Sequence, residues 1–249
     1  MLRQQMQGYC QSVVRKYQEA SNSKPLCRAD TPIVKYSIEH WQSDLWQASG
    51  VMQESAASLL MSLLYSARMC RPDLQFAVVF LARFVTRWTV LSDHMLNRLF
   101  SFVHGSSNYC LVATVSSSPG DADAIVLHGY PDADHGDDPL TNRSTSGNAM
   151  IVSGPSTRAL SHWSSKRQGG TASSTPEAEI VSANKLLREL LFPLQELWSF
   201  ILGRQVRCIV YEDNEAAIKT LQSGYSLAMR HLARHQRVSL SQAGRRNDP

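Results

Sequence analysis

The spacing of apolar positions predicts a helical first half of the chain. Between Ser55 and Gly105, leucines such as Leu59, Leu60 and Leu63 recur at the three- and four-residue spacing of helices with one buried face. The first 54 residues show little pattern apart from a short helix near 11–20. The periodicity further predicts three helices and a strand, at 55–71, 73–86, 92–104 and 109–115.

The pattern of apolar and polar residues changes after the run SSSPGDADA, whose serine, proline, glycine and aspartate content is typical of a domain boundary. Beyond it, short apolar runs bounded by turn residues predict strands, and longer periodic runs predict helices. The predicted strands are 125–130, 147–152, 159–164 and 207–211. Helices are predicted from Pro176 onward and at 214–222. This order predicts an α/β unit in which helices cover a mixed sheet.

Composition narrows the class of protein without identifying it. The 249 residues carry a formal net charge of +4 and are 43% hydrophobic, which allows a sizeable core and a polyanionic partner. The five cysteines are scattered and form no CxxC pair, so a disulfide framework is not expected. With no signal-type segment and no apolar run long enough to cross a bilayer, we expect an intracellular protein, cytoplasmic or nuclear and not secreted, without a membrane partner.

Three acids lie where the pattern predicts strand ends and a helix start. Asp132 follows the strand IVLHGY, Glu179 lies in the first turns of the long helix, and Asp213 ends the strand RCIVYED. Carboxylates that converge from separate elements are the ligands that Mg²⁺ requires. Two such ions can activate water and stabilise a leaving oxygen in phosphodiester cleavage. The three acids are therefore candidate catalytic and metal-binding residues.

The phase of the long helix indicates which of its first glutamates faces the sheet. Steps of three and four residues from Glu179 follow the apolar stripe, whereas the same steps from Glu177 reach polar positions. Glu177 is therefore interpreted as a cap or helix-dipole partner. Either Thr175 caps the helix, or Ser174 does with Glu177 as its capping-box partner. Pro193 is predicted to bend or divide the helix.

Each acid also has a purely structural interpretation. Asp132 and Asp134 could be turn formers in an acidic loop, and Asp213 could be the N-cap of the helix that follows it. A glutamate near a helix start commonly serves as a dipole partner. An EF-hand is excluded because position twelve counted from Asp132 is Arg143. His231 and His235 are one helical turn apart but lack a third zinc ligand.

Three motifs in order resemble a known family. The run GYPDADHGDDPLTNRSTSGNAMIVSG resembles the opening of copia-type ribonuclease H. The run LSHWSSKRQGGTASSTPEAEI is similar to the family's tryptophan-serine-serine-lysine segment before its Ala-Glu helix, and VYEDNEAAI resembles its strand-Asp-Asn-helix junction. The chain is thus identified as resembling the C-terminal part of a copia-type retrotransposon Pol polyprotein, which implies a ribonuclease H-like fold.

The resemblance extends toward the amino terminus. The run LLMSLLYSARMCRPDLQFAVVFLARFV is similar to the helical segment that links reverse transcriptase to ribonuclease H in these polyproteins. It implies three regions: a remnant of the palm and thumb side at 1–54, a mostly helical connection at 55–117, and a ribonuclease H-like domain at 122–249. The polymerase's Tyr-x-Asp-Asp motif is absent, so the chain alone is not expected to synthesise DNA.

The resemblance implies metal-dependent hydrolysis of RNA in RNA–DNA hybrids during reverse transcription, with Asp132, Glu179 and Asp213 as ligands. The implied cofactor is Mg²⁺, as two ions, with Mn²⁺ as an alternative and no small-molecule cofactor. The family's fourth carboxylate lies on a last helix, and the chain is expected to lack that helix and the strand before it. The alternative function is therefore an inactive retroelement remnant that at most binds nucleic acid.

The implied partners are an RNA–DNA hybrid and the remainder of the Pol polyprotein. Basic and amide side chains near the motifs are candidate contacts to nucleic-acid phosphates, although a solvated basic face would have the same composition. The candidate nucleic-acid-binding residues are Lys166, Arg167, Gln168 and Arg230.

Overall fold

The computed structural model describes residues 1–23 and 25–224. This part of the chain divides into two compact units. The amino-terminal unit is Arg3–Val112, and the carboxyl-terminal unit contains the residues from Ala113 onward together with Met1 and Leu2. Each unit has its own buried core.

The amino-terminal unit is mostly helical, as the periodicity predicts. Two short strands pair with one another: β1 (Leu2–Gln5) and β2 (Cys110–Ala113). The helices of this unit are α1 (Gln7–Ala20), α2 (Ile38–Gln42), α3 (Asp44–Gln47), α4 (Gln53–Met69), α5 (Gln75–Ala82) and α6 (Val90–Gly105). A 3-10 turn, Pro72–Leu74, separates α4 from α5, at the Arg71-Pro72 break that the sequence predicts.

The first 54 residues contribute more to this unit than their weak pattern suggests. Helix α1 starts four residues earlier than predicted and buries Cys10, Val13, Val14 and Tyr17. The Tyr17 ring stacks on Phe100 of α6, with ring centroids 4.2 Å apart. The buried positions of α1 follow the i, i+3, i+4, i+7 spacing of a helix with one buried face.

Helix α6 begins at a different residue from the one expected. Its N-cap is Thr89, whose side chain accepts a hydrogen bond from the Ser92 backbone N–H. Asp93, in the first turn of α6, has a tertiary role. Its carboxylate accepts hydrogen bonds from the backbone N–H of Val51 and from the Trp88 indole, at 2.7 and 2.6 Å.

The carboxyl-terminal unit confirms the predicted α/β class. Its four-stranded sheet has the order β5-β4-β3-β6, in which β3 runs antiparallel to β4 and parallel to β6. The strands are β3 (Val126–Ala133), β4 (Thr145–Ser153), β5 (Arg158–Arg167) and β6 (Arg207–Val210). The helices are α7 (Pro119–Asp123), α8 (Thr175–Leu186), α9 (Phe192–Leu202) and α10 (Glu215–Ser223). This mixed sheet with flanking helices is the ribonuclease H-like arrangement that the resemblance implies.

Strand β3 is longer than predicted, because it continues through Pro131 to Ala133. The Gly129 carbonyl points toward β6 and accepts a hydrogen bond from the Tyr211 N–H. Because backbone groups two residues apart in a strand point to the same side, the backbone nitrogen of Pro131 also points toward β6. Strand β6 ends opposite Gly129, with Val210 as its last paired residue. The missing N–H of proline therefore costs no ladder hydrogen bond there.

Helix α8 lies unusually close to the centre of the sheet. A Cβ atom on Gly129 would come within 2.7 Å of the Leu186 side chain, so glycine allows this approach. The predicted division of the long helix is confirmed, since a π-helical turn, Leu187–Leu191, precedes α9, and Pro193 lies in the first turn of α9. The sheet–helix core is made of aliphatic side chains such as Leu127, Met150 and Leu191.

The longest helix within residues 1–23 and 25–224 is α4, which has 17 residues. None of the helices in these ranges has the length and apolar character needed to cross a bilayer.

Candidate metal centre

Four acidic residues lie where β3 and β6 end and α8 begins. Asp132 is the penultimate residue of β3, so it belongs to the strand and does not follow it as expected. Glu179 lies in the second turn of α8. Glu212 and Asp213 both lie in the short segment between β6 and α10. Parallel pairing of β3 with β6 directs their carboxyl ends to the same edge of the sheet.

Three of these acids form a compact group. Glu179, Glu212 and Asp213 each offer one carboxylate oxygen, and these oxygens all lie within 4.8 Å of one another. Asp132 is not one of the three, although its charge acts on both Glu179 and Glu212. The structure thus brings together two of the predicted ligands, Glu179 and Asp213, and adds Glu212.

Hydrogen bonds at the start of α8 hold Glu179 at the edge of the sheet. Ser174 is the N-cap, as one of the two capping alternatives predicts, and its hydroxyl accepts from the Glu177 N–H. The Glu177 carboxylate accepts from the Ser173 N–H at 3.0 Å, which confirms its capping role. One turn beyond Glu179, the Ser182 hydroxyl donates to the Asp132 carbonyl at 2.8 Å and ties the helix to β3.

The segment that carries Glu212 and Asp213 is held on both sides. On one side, the Tyr211 ring stacks on Tyr130 with centroids 4.9 Å apart, and the Tyr211 N–H donates to the Gly129 carbonyl. On the other side, Asn214 caps α10 by accepting from the Ala217 N–H at 3.0 Å. The alternative in which Asp213 is the N-cap is therefore wrong, and its carboxylate is left exposed to solvent.

The turn-former alternative applies to Asp134 and not to its neighbour Asp132. The Asp134 carboxylate accepts a hydrogen bond from the Thr145 N–H at 2.8 Å and so closes the loop between β3 and β4. The side chain of Asp132 is exposed at the edge of the sheet. The two aspartates of the DAD motif therefore have separate roles, one in the loop and one beside the acidic group.

Burial and mutual repulsion raise the pKa values of two of the acids. Burial raises the pKa of Glu179 to about 7, and the negative charges of Glu212, Asp132 and Asp213 add to the shift. Burial also raises the pKa of Glu212, and Asp213 and Asp132 act in the same direction. Among the described residues, no lysine or arginine forms an ion pair with these carboxylates.

The three carboxylates form a set of oxygen ligands that suits a hard divalent cation. Within the described chain, Glu179 Oε2 and Glu212 Oε2 are buried and have no hydrogen-bond partner. A buried carboxylate oxygen without a donor is unfavourable, and a cation would compensate it. Oxygens on opposite sides of a Mg²⁺ ion are about 4.2 Å apart. The spacing of the three carboxylates is therefore compatible with a shared ion.

The candidate phosphate contacts occupy different environments. Lys166 is exposed near the end of β5. Arg167 forms an ion pair with the buried Asp138 at 3.2 Å. Gln168 is buried, and its amide donates to the Ser146 hydroxyl and the Ala178 carbonyl, so it links β4 to α8. Arg230 lies outside the described residues.

Comparison with known proteins gives two relatives at the same identity. The chain is 27% identical over 225 residues to the "Retrovirus-related Pol polyprotein from transposon TNT 1-94" of Nicotiana tabacum, a match that covers 90% of this chain. It is 27% identical over 170 residues, 68% of the chain, to the "Putative transposon Ty5-1 protein" of Saccharomyces cerevisiae. The chain is thus similar to retrotransposon proteins, one of which is a Pol polyprotein. No family model matches it, and no solved structure gives a significant match.

The matches differ in how much of each relative they include. The chain spans 16% of the tobacco polyprotein and 47% of the yeast protein, less than half the length of either. The resemblance to ribonuclease H motifs predicts Asp132, Glu179 and Asp213 as metal ligands, but it does not predict Glu212. The available signal was the pair of adjacent acids after a strand, which by itself is equally typical of a turn before a helix.

Proposed function

We propose that the carboxyl-terminal unit is a ribonuclease H that hydrolyses the RNA strand of RNA–DNA hybrids with the help of Mg²⁺ or Mn²⁺. The observation that carries this proposal is the acidic group at the ends of β3 and β6, with two buried carboxylate oxygens that lack donors. The relationship to Pol polyproteins supports a retroelement origin. The order of acids along the chain, Asp, Glu, Asp, supports the ribonuclease H assignment.

Each acid has a distinct part in the proposed reaction. Glu179 and Asp213 would hold the metal ions from two different elements, and Asp132 would complete the site from β3. Bound there, the ions would activate a water and neutralise charge on the phosphate. Attack of this water on phosphorus would break its bond to the 3′ oxygen, which takes up a proton, so that one RNA fragment ends in a 3′-hydroxyl and the other in a 5′-phosphate. Rigid attachment of the acids to strand ends and a capped helix favours such chemistry, because little reorganisation is needed.

Two lysines of the carboxyl-terminal unit, Lys166 and Lys185, are suited to contact nucleic-acid phosphates. Burial lowers the pKa of Lys185 on α8, and the positive charge of Lys166 on β5 contributes in the same direction. Two ammonium groups that repel one another are stabilised by a shared anion such as a phosphate. We assign this role to Lys166. Arg167 and Gln168 support it through their bonds to the loop and to α8.

The two units correspond, in this proposal, to two regions of a Pol polyprotein. The amino-terminal unit is the remnant of the palm and thumb side, through 54, followed by the connection, and the residues from 122 onward are the ribonuclease H-like domain. Further Pol segments are the proposed protein partners, since the relatives are much longer than the matched region.

The direct test is cleavage of a labelled RNA–DNA hybrid by the full chain in Mg²⁺. We expect the RNA strand to be cut and the product to carry a 3′-hydroxyl. Asp132→Asn is expected to abolish cleavage, because it removes a negative charge from the metal centre without changing side-chain volume. Asp123→Asn is the matched control, since Asp123 is an exposed aspartate at the end of α7.

The outcomes separate the two functions. Hybrid binding by the wild-type chain without any cleavage would indicate the inactive remnant and contradict the enzyme. Cleavage that survives Asp132→Asn would leave the enzyme and refute the role of this residue.

A further inference from the structure

Glu212 is the acid that neither the motif resemblance nor the apolar pattern assigns. It lies between Tyr211, which is anchored to β3, and Asp213 of the proposed site. We infer that Glu212 is a further metal ligand of this centre, placed beside Glu179 and Asp213. The inference rests on the proposed function in that it assumes the same metal centre, and it extends the set of ligands.

The conformation of Glu212 is defined by its neighbours. The Tyr211 hydroxyl lies 3.1 Å from His128 Nδ1 and its ring stacks on Tyr130, which fixes the chain just before Glu212. On the other side, the Asn214 N–H donates to Glu212 Oε1 at 3.2 Å. One carboxylate oxygen of Glu212 is thus held by the backbone, and this restricts where the other oxygen can lie.

The second oxygen of Glu212 has no partner in the described part of the chain. Glu212 Oε2 is buried and accepts no hydrogen bond, and the same holds for Glu179 Oε2. The Glu179 residue is only 4% exposed, so water has little access to it. Two buried acceptors without donors, each on a carboxylate, are stabilised by a nearby positive charge.

A purely structural role for Glu212 accounts for only half of its carboxylate. A turn residue needs one oxygen to accept the Asn214 N–H, and Oε1 does this. Helix α10 already has its cap in Asn214. A structural carboxylate would gain nothing from lying within 4.8 Å of the oxygens of two other acids, because like charges at this distance repel.

Shared coordination explains the same closeness. Carboxylate oxygens around one Mg²⁺ lie at about 2.1 Å from the ion, and Mn²⁺ accepts the same type of ligand. Oxygens within 4.8 Å of one another need to move by less than about 1 Å each to reach this distance from a common centre. A cation bound there would neutralise the repulsion among the three carboxylates.

The test is Mn²⁺ affinity of the full chain, measured by electron paramagnetic resonance of free Mn²⁺. We compare the wild type with Glu212→Gln, Asp213→Asn and the control Glu215→Gln. Glu215 lies three residues along the chain, is exposed, and pairs only loosely with Lys219 at 3.7 Å. We expect Glu212→Gln and Asp213→Asn each to weaken binding at least about tenfold, as changes at metal sites commonly do. Glu215→Gln should stay within about twofold of the wild type.

Glu212→Asp provides a second variant if the glutamine protein does not fold. It keeps the charge but withdraws the oxygens by about 1.5 Å, the length of one carbon–carbon bond. We expect it also to bind Mn²⁺ more weakly than the control. Wild-type affinity in a folded Glu212→Asp protein would overturn the inference.

The results distinguish this inference from the proposed function. If Glu212→Gln binds Mn²⁺ as the control does while Asp213→Asn does not, the Glu212 inference fails and the proposed function stands. If the wild type binds Mn²⁺ through Glu212 but does not cut the hybrid, the inference stands and the function fails. Absence of Mn²⁺ binding by the wild type would overturn both.

Discussion

Replacing Glu179 with glutamine is expected to abolish metal-dependent hydrolysis and, at the same time, to stabilise the metal-free fold at pH 8. The carboxylate is buried among three other acids, and its pKa is raised to about 7 from 4.5. The amide has nearly the same shape and carries no charge. It keeps an oxygen for the Ala133 N–H and gains an N–H group that can donate to a neighbouring carboxylate.

The sign of the pH dependence follows from the raised pKa. Between pH 4.5 and pH 7 the folded state binds more protons at Glu179 than the unfolded state does. The contribution of this group to the free energy of unfolding therefore falls as pH rises through that window. We expect Glu179→Gln to exceed the wild type by about 3 kcal/mol at pH 8, because the pKa of Glu179 is raised from 4.5 to about 7 and one pKa unit corresponds to about 1.4 kcal/mol. Near pH 5 the difference should be small.

Urea unfolding of the full chain in EDTA at pH 5 and pH 8 measures this effect. Glu196→Gln, an exposed glutamate on α9, is the control and should match the wild type at both values. Added Mn²⁺ should stabilise the wild type and leave Glu179→Gln unchanged, because only the wild type retains the ligand. Equal unfolding free energies of Glu179→Gln and the wild type at pH 8 would contradict a charged, uncompensated Glu179.

The second large effect is expected at Arg71, which lies between α4 and the 3-10 turn Pro72–Leu74. Arg71 is 2% exposed, and its guanidinium donates to both Asp73 carboxylate oxygens and to the carbonyl and hydroxyl oxygens of Ser106. It also lies over the Phe102 and Tyr109 rings. Since Ser106 is the C-cap of α6, the positive charge lies at the negative end of the helix dipole.

We expect Arg71→Met to lower the free energy of unfolding by about 3–5 kcal/mol, the range for removing one partner of a buried ion pair. The loss removes the arginine donor to the buried Ser106 hydroxyl and one of two donors to the Ser106 carbonyl, which also accepts from the Tyr109 N–H. Arg68→Met, an exposed arginine in the last turn of α4, is the matched control and should cost less than about 1 kcal/mol. Arg71→Lys should fall between them, because lysine keeps the charge but not the planar fork. Urea unfolding of the full chain gives the comparison, and equal losses at Arg71 and Arg68 would refute the buried network.

Most elements of the second unit could be predicted because their apolar periodicity is local. The strands and the long helix depend on which neighbours in the chain are apolar. Likewise, Pro193 and Pro72 interrupt or begin a helix through their effect on the adjacent turn of the backbone. The same holds for the Ser174 cap, which needs only residues within one helical turn. The end of β3 could not be predicted in this way. Whether Pro131 ends a strand depends on where the neighbouring strand β6 ends.

The acidic residues show the same distinction between what local sequence predicts and what tertiary packing decides. By itself, the sequence determined that Glu179 faces the sheet and that Asp132 lies at the end of a strand, since these follow from helical phase and strand boundaries. Asp213, expected to end its strand, lies beyond the end of β6. Only the tertiary structure decided that Glu212 joins Glu179 and Asp213 and that Asp134 serves the loop. The physical reason is that coordination and burial depend on distances between side chains from separate elements, which are set by the packing of α8 on the sheet.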